Sequence, residues 1–201
     1  ISNISYTDTT TTVTHTINTV DKDGTPVLQT RVRRSNFIDG PYEDKRLSSF
    51  EEDRIVDGQV VTSTTTRYYY GDGRTGDVSA SNPGYAFWKQ RRRVEPDGST
   101  IDFFYDSNGL PSKEIDSIDA TTSRVMERVY DDEENVIRRA TYLTVNGAIP
   151  ADSNVYVTVY EYDDSNRLTF TRVLRERPAS ASATADLASW TLPSTTGTDA
   201  G

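Results

Sequence analysis

The sequence predicts an all-β fold of repeated antiparallel β-hairpins, with little or no helix. Its composition favours strands, because Thr occurs 28 times in 201 residues and the apolar set leans towards Val, Ile and Tyr. Turn signals recur at intervals of roughly 8–15 residues, which is typical of a meander of hairpins. The third observation is that one strand–turn–strand pattern occurs several times along the chain.

The turn signals are mostly Asp-Gly and Asn-Gly pairs, which supply the positive φ angles that tight hairpin turns require. One strand-like run extends from Ile55 to Arg67 about Asp57-Gly58, and another from Arg91 to Asp106 about Asp97-Gly98. The remaining turn signals are Asp23-Gly24, Asp39-Gly40-Pro41, Gly71-Asp72-Gly73, Asn82-Pro83-Gly84, Asn108-Gly109 and Asn146-Gly147.

The repeated pattern is a strand that ends in Tyr, followed by Asp, a polar turn and a returning strand. Its three clear copies contain Tyr105-Asp106, Tyr130-Asp131 and Tyr162-Asp163, and a fainter copy has Val20-Asp21. The Asp side chain can accept hydrogen bonds from backbone N–H groups further along the turn. The Tyr can cover a neighbouring hairpin with its ring and keep its hydroxyl at the rim. The motif therefore predicts a structural corner at which hairpins stack.

This Tyr-Asp-x-x-Gly/Asn-x-Leu/Ile pattern resembles the YD repeat of the Rhs (rearrangement hotspot) proteins, over residues 88–177. The resemblance implies hairpins joined into a twisted or spiralling sheet in a secreted or surface-exposed bacterial protein. Large members of that family close the sheet into a shell around a toxin, and animal cell-surface relatives form an adhesive barrel. A chain of 201 residues is too short to wrap a cargo, and no segment resembles the family's self-cleavage region, so encapsulation and self-cleavage are not expected here.

The sequence divides into a β-hairpin repeat domain, residues 1–177, and a polar C-terminal tail, residues 178–201. The tail is rich in small polar residues, and its exceptions are Leu187, Trp190 and Leu192. We interpret these three as candidate assembly anchors. Two alternatives are open: the tail docks on a neighbouring subunit, or it folds back on its own subunit.

Charge and composition exclude several classes of function. A net charge of −9 argues against nucleic acid as a partner, because phosphate neutralisation needs a basic surface. The chain has no cysteine, which excludes disulfide scaffolds and thiolate sites. No stretch has the length of a transmembrane helix. The sequence begins at Ile1, which suggests a processed product or a fragment, and we expect an extracellular or cell-surface location in a bacterium.

Catalysis and metal binding find little support in the sequence. His15 is the single histidine and no nucleophile motif accompanies it, so no catalytic residue and no cofactor are predicted. Calcium is the one metal considered, because acids cluster near turns. The weak candidates for it are Asp21, Asp23, Asp131 and Asp163, and the alternative is that these acids close turns.

Aromatic residues are the remaining candidates for a ligand or interface. Tyr68, Tyr70, Tyr85 and Trp88 flank a loop rich in Gly, Asp and Ser. Such side chains stack on sugar rings or on neighbouring subunits, and they also pack beneath long loops.

The sequence predicts a non-enzymatic extracellular structural protein, a self-associating subunit of a surface fibre, filament or layer. Its expected partner is a second copy, bound through the terminal segments. The alternative is a carbohydrate-binding or adhesin module that binds glycans through the aromatic loop at 68–88.

Overall fold

The computed structural model describes residues 2–7, 9–39, 45–70, 89–174, 177–183 and 186–192. The predicted all-β fold is confirmed: the described residues form twelve strands in one antiparallel sheet, whose spatial order is the order along the chain. The described part of the chain contains no α-helix, only one turn of 3-10 helix at Leu187–Ser189. None of its helical segments has the length and hydropathy needed to cross a bilayer.

Strands that follow one another along the chain are neighbours in the sheet. Their bounds are β1 Ser2–Tyr6, β2 Thr10–Val20, β3 Pro26–Asp39, β4 Lys45–Val56, β5 Gln59–Tyr70, β6 Gln90–Val94, β7 Thr100–Tyr105, β8 Pro111–Ser117, β9 Thr122–Tyr130, β10 Val136–Val145, β11 Tyr156–Tyr162 and β12 Leu168–Leu174. The chain forms two compact units, Ile1–Thr100 and Ile101–Gly201.

The first unit is held together largely by polar pairs between neighbouring strands. Val32 is the one buried hydrophobic side chain among its described residues. The guanidinium of Arg34 on β3 bonds the carboxylate of Asp53 on β4 at 2.6 Å. The hydroxyls of Thr16 and Thr30 lie 3.2 Å apart across β2 and β3. Among the described residues of this unit, Thr and Arg therefore supply many of the contacts between strands.

The second unit has a conventional apolar core on one face of its sheet. Alternate residues of a strand point to opposite faces, so Ala140 and Tyr142 of β10 are buried while Leu143 between Tyr142 and Thr144 is exposed. Residues of β9, β11, β12 and the tail complete the cluster, whose buried members are Val125, Ala140, Tyr142, Ile149, Val155, Val157, Leu174, Ala181, Leu187 and Trp190.

Candidate functional site

The repeated motif folds into a corner, which we define as the five residues from the acid to the residue before the returning strand. In the corner that starts at Asp106, the Asp106 N–H donates to the Leu110 carbonyl at 2.9 Å and the Gly109 N–H donates to the Asp106 carbonyl at 3.1 Å. The Oδ1 atom of Asp106 also accepts the N–H groups of Asn108 and Leu110, at 2.9 and 2.8 Å. One carboxylate thus holds two turn amides.

The same four hydrogen bonds occur in the corners that start at Asp21, Asp131 and Asp163. The fourth residue of each corner has a positive φ, which Gly adopts without steric cost and Asn tolerates. Its φ is 81° at Gly24, 80° at Gly109, 66° at Glu134 and 58° at Asn166.

A fifth corner, from Glu95 to Ser99, was missed by the sequence analysis, which identified only a turn there. It has both backbone bonds, from Glu95 N–H to Ser99 O at 2.8 Å and from Gly98 N–H to Glu95 O at 3.0 Å. Here the carboxylate of Asp97 accepts the Ser99 N–H. The signal that could have found it is Gly98, three residues after an acid, as Gly109 follows Asp106.

The three Tyr-Asp corners share a β-bulge just after the turn. In each, the Tyr pairs with the first residue of the returning strand. The residue before the Tyr pairs with the third residue of that strand, so the second residue is the extra one. The extra residues are Ser112, Ile137 and Thr169. The Asp21 corner lacks this shift, since β2 and β3 stay in register up to Val20 and Pro26. A bulge increases local twist, so the Tyr-Asp repeats twist their hairpins in the same way.

Successive Tyr-Asp corners are linked by a hydrogen bond from the Tyr of the later corner to the hairpin before it. The Tyr130 hydroxyl donates to the Pro111 carbonyl at 2.9 Å. The Tyr162 hydroxyl donates to the Val136 carbonyl at 3.2 Å. Pro111 and Val136 are both the first residue of a returning strand, so the bond is itself part of the repeat.

The register between neighbouring hairpins repeats as well. Lys113 of β8 lies opposite Glu127 of β9. Arg138 of β10 lies opposite Val159 of β11. In both pairs, the third residue of a returning strand lies opposite the residue that comes three positions before the next corner Tyr. The class of protein that these features define is a β-hairpin repeat protein.

The described residues of the tail pack on the sheet of their own chain. Leu187 and Trp190 are each only 2% exposed within the apolar core, and Leu192 packs against it, partly buried. Trp190 lies beside Tyr142, with ring centroids 5.6 Å apart. These tail residues thus pack on the core of their own chain, and docking of the tail on a neighbouring subunit stays a prediction.

A cavity of about 440 Å³ lies where the tail meets β7–β9. Its wall brings together three predicted corner residues, Tyr105, Asp106 and Tyr130, with the tail residue Leu187. Burial is the main cause that raises the pKa of the Tyr130 hydroxyl. The wall also contains Lys113 and Glu127, which the sequence analysis did not single out.

Lys113 and Glu127 form a buried ion pair in this wall. The Lys113 Nζ lies 2.5 Å from the Glu127 Oε1, and the side chains are 24% and 4% exposed. Lys113 also donates to the Ala183 carbonyl of the tail at 3.3 Å. The signal that could have found Glu127 is its position between Val125 and Val129, where alternation predicts a core-facing residue.

Three polar atoms in this region are buried without a hydrogen-bond partner in the described protein. They are Glu127 Oε2, the Tyr142 hydroxyl and Trp190 Nε1. Burial and then the negative charge of Glu127 raise the pKa of Tyr142 well above its usual range, so the phenol stays protonated. Of these three residues, Glu127 lines the cavity.

The aromatic candidates are only partly described. Tyr68 and Tyr70 are half-buried at the end of β5, and Tyr85 and Trp88 lie outside the described residues. The Tyr70 hydroxyl donates to the Leu47 carbonyl at 2.8 Å. The guanidinium of Arg46 lies over the Tyr70 ring, 5.4 Å from its centroid. Tyr70 thus has contacts within its own unit on both its polar and its aromatic parts.

The calcium candidates lie in corners where backbone groups already occupy one carboxylate oxygen. Asp21, Asp131 and Asp163 each accept two N–H groups at Oδ1. Asp23 is exposed one residue before Gly24. No three acidic or histidine side chains converge on a metal-binding point in the described ranges. Calcium binding stays a prediction that titration with Ca²⁺ can test.

Comparisons with known proteins add little about function. No protein-family model matches the sequence. No curated protein matches it. Among solved structures, the chain is similar to the crystal structure of TcdB2-TccC3-TEV, with 14% identity and a TM-score of 0.28. The match covers 83% of this chain and 11% of that one. The likeness to YD-repeat proteins in sequence motifs stays a resemblance.

Proposed function

We propose that this chain is a non-enzymatic extracellular structural protein whose β-hairpin repeats extend from one copy to the next. The observation that carries the proposal is the repeated link between hairpins, in which Tyr130 and Tyr162 each bond the start of the preceding returning strand. Leu168 occupies that same starting position on β12. It is the last in the series, because no described strand lies on the outer side of β12.

The exposed surface of β12 fits an interface. Leu168, Phe170 and Val173 are all large apolar side chains that are about half exposed. The outer backbone groups of an edge strand also form a ready template for another strand. This edge contains no Lys or Pro, and Arg172 is its one charged residue, so it favours pairing with a further chain.

The partner strand that we propose is β1 of a second copy. It is the other terminal strand of the sheet, and its last residue is Tyr6, followed by a turn that Thr7 closes. The Thr7 Oγ1 accepts the Thr10 N–H at 2.9 Å, so a side-chain oxygen closes this turn, which is one residue shorter than the Asp corners. If β1 repeats the register of β9 and β11, Asn3 of one copy lies opposite Phe170 of the next, and Tyr6 lies next to Leu168.

A disulfide trap tests this register, because the chain contains no cysteine of its own. The variant with Asn3→Cys and Phe170→Cys places two thiols on directly opposite residues, at a separation that a disulfide can span. The matched control carries Ser5→Cys with Phe170→Cys, shifted by two residues along β1. We expect mild oxidation to give a ladder of covalent oligomers from the first variant and much less from the control.

Equal ladders from both variants, or monomer from both, would refute the proposed edge pairing. The native protein under an electron microscope gives the complementary readout, in which we expect filaments or layers.

The non-enzymatic part of the proposal is supported by the partners of the cavity carboxylates. Lys113 neutralises Glu127, and two backbone amides occupy the Asp106 Oδ1. These contacts suit structural acids better than a poised general acid and base.

The glycan-binding alternative is tested on a glycan array with the native chain and a Tyr68→Ala variant. Glycan binding by the native chain that is weaker in the variant would favour this alternative.

A further inference from the structure

A row of basic side chains crosses three neighbouring strands of the first unit. Arg31 of β3 lies directly opposite His15 of β2 on one side and Arg54 of β4 on the other. Residues that are opposite one another in an antiparallel sheet point to the same face, with Cβ atoms about 5 Å apart. Arg33, two residues further along β3, points to that face as well.

The positive charge of this row is only partly neutralised. Glu52 is shared, with its Oε1 3.3 Å from Arg31 Nε and its Oε2 2.6 Å from Arg33 Nε. Arg54 is exposed and has no salt bridge within the described residues. Three guanidinium groups therefore face one carboxylate.

Like charges on directly opposite residues destabilise a sheet. Arg31 and Arg54 form such a pair in a protein whose net charge is −9, so the excess of positive charge is local. An acid in place of either residue would give the favourable pair that Arg34 forms with Asp53. An anion bound between the two arginines would relieve this repulsion.

The row lines a groove of about 360 Å³, which is open to solvent on one side. Its other walls include the amide side chain of Gln29 and the aliphatic side chain of Ile17. Glu52 contacts the two arginines through their Nε atoms, which leaves the terminal nitrogens to donate. Guanidinium groups recognise sulfate, phosphate and carboxylate through paired N–H donors.

We propose that this groove binds a compact oxyanion, namely sulfate or phosphate, either free or as an ester on a single sugar. Arg54 and Arg31 bind the anionic oxygens from two sides, and Gln29 donates a further hydrogen bond. Ile17 provides the apolar wall against which the ring of a sugar ester packs. The groove belongs to β2–β4 and does not depend on the pairing of β12 with a second copy.

Calorimetric titration at low ionic strength tests the proposal, with sodium sulfate, sodium phosphate, galactose 6-sulfate and galactose as the probes. We expect saturable binding of one anion per chain. If the natural ligand is a sugar ester, galactose 6-sulfate should bind more tightly than sulfate. If it is the free ion, the two should bind equally. Galactose alone should not bind. Arg54→Gln should weaken binding of the anions by roughly tenfold to a hundredfold, because it removes hydrogen bonds to a charged group.

The matched control is Arg124→Gln, which removes the same charge from an exposed arginine of the second unit. It should leave anion affinity unchanged. If Arg124→Gln and Arg54→Gln weakened anion affinity equally, the attraction would be diffuse and the proposal would be overturned. The absence of saturable anion binding to the native chain would overturn it as well. A second readout is thermal unfolding, in which sulfate should raise the Tm of the native chain more than that of the Arg54→Gln variant. An equal rise in both would also overturn it.

Discussion

The Tyr162 hydroxyl donates a hydrogen bond to the Val136 carbonyl, one hairpin back along the sheet, at 3.2 Å. The Tyr130 hydroxyl makes the equivalent bond to Pro111 at 2.9 Å. The Tyr of the motif thus connects one hairpin to the hairpin before it, and the Asp closes the turn. Each half of the motif has its own structural role.

Removing these hydroxyls should weaken the stacking of hairpins. We expect Tyr130→Phe and Tyr162→Phe each to lower the free energy of unfolding by about 0.5–1.5 kcal/mol, the usual contribution of one hydrogen bond. Urea unfolding followed by circular dichroism measures the change. Tyr156→Phe is the control, since Tyr156 is exposed and its hydroxyl has no bond in the described structure. A loss as large in the control would show that the link does not matter.

Glu134 should be the weakest residue of its corner. Its φ of 66° lies in the left-handed region, which costs a residue with a Cβ about 1–2 kcal/mol. The equivalent positions carry Gly or Asn in the other corners. Glu134→Gly should therefore raise the free energy of unfolding, by up to about 1 kcal/mol after the entropy cost of glycine.

The control for that prediction is Glu133→Gly, one residue earlier, where φ is not positive. It should lower stability by roughly 0.5 kcal/mol or more, through the same entropy cost. Opposite signs for the two variants would support the account, and a loss of stability in both would contradict it.

Asp119 should make stability depend on pH in the acid range. The N–H groups of Thr121 and then Thr122 hold its pKa at about 2, below the usual 3.8. Because the folded pKa is depressed, this stabilisation is fully present above pH 4 and is lost as the pH falls towards 2. Carboxyl NMR titration should give the low pKa directly. Asp119→Asn should flatten the pH dependence of urea unfolding between pH 4 and 2, and an unchanged slope would contradict this.

The Lys113–Glu127 pair should respond asymmetrically to the loss of either partner. Lys113→Met leaves Glu127, which is 4% exposed, as an uncompensated buried charge, and should cost about 3 kcal/mol or more. Glu127→Gln leaves a lysine that is more exposed and still bonds the Ala183 carbonyl, so it should cost only about 1–2 kcal/mol. Urea unfolding of both variants gives the comparison.

Arg124→Met breaks an exposed pair with Asp116 and serves as the control, with an expected loss of no more than about 1 kcal/mol. A smaller loss for Lys113→Met than for Glu127→Gln would show that Glu127 is not held as a buried anion.

The sequence predicted the elements because their determinants are local. Gly and Asn positions mark the turns, and Asp106, Asp131 and Asp163 carry their hydrogen-bonding partners within four residues. The fifth corner was missed because Glu95 replaces the usual Asp and Asp97 supplies the side-chain bond.

Tertiary relationships were much harder to predict. The composition of the tail identified Leu187 and Trp190 as anchors but not their binding site, and both are buried against the strands of their own chain, far away in sequence. Lys113 and Glu127 meet only because β8 and β9 pair in one register. The arginine row likewise depends on the registers of three strands, which single residues do not reveal.

Sedimentation velocity of the purified chain across a wide range of concentrations tests the central claim, that the repeat extends from β12 to a second copy. We expect sedimentation coefficients that grow with concentration for the native chain. They should remain those of a monomer for Phe170→Lys with Val173→Lys, because charges on an edge strand block pairing. Leu143→Lys, on an exposed site of the central strand β10, should behave as the native chain does. A native chain that stays monomeric throughout, or an edge variant that assembles as well as Leu143→Lys, would contradict it.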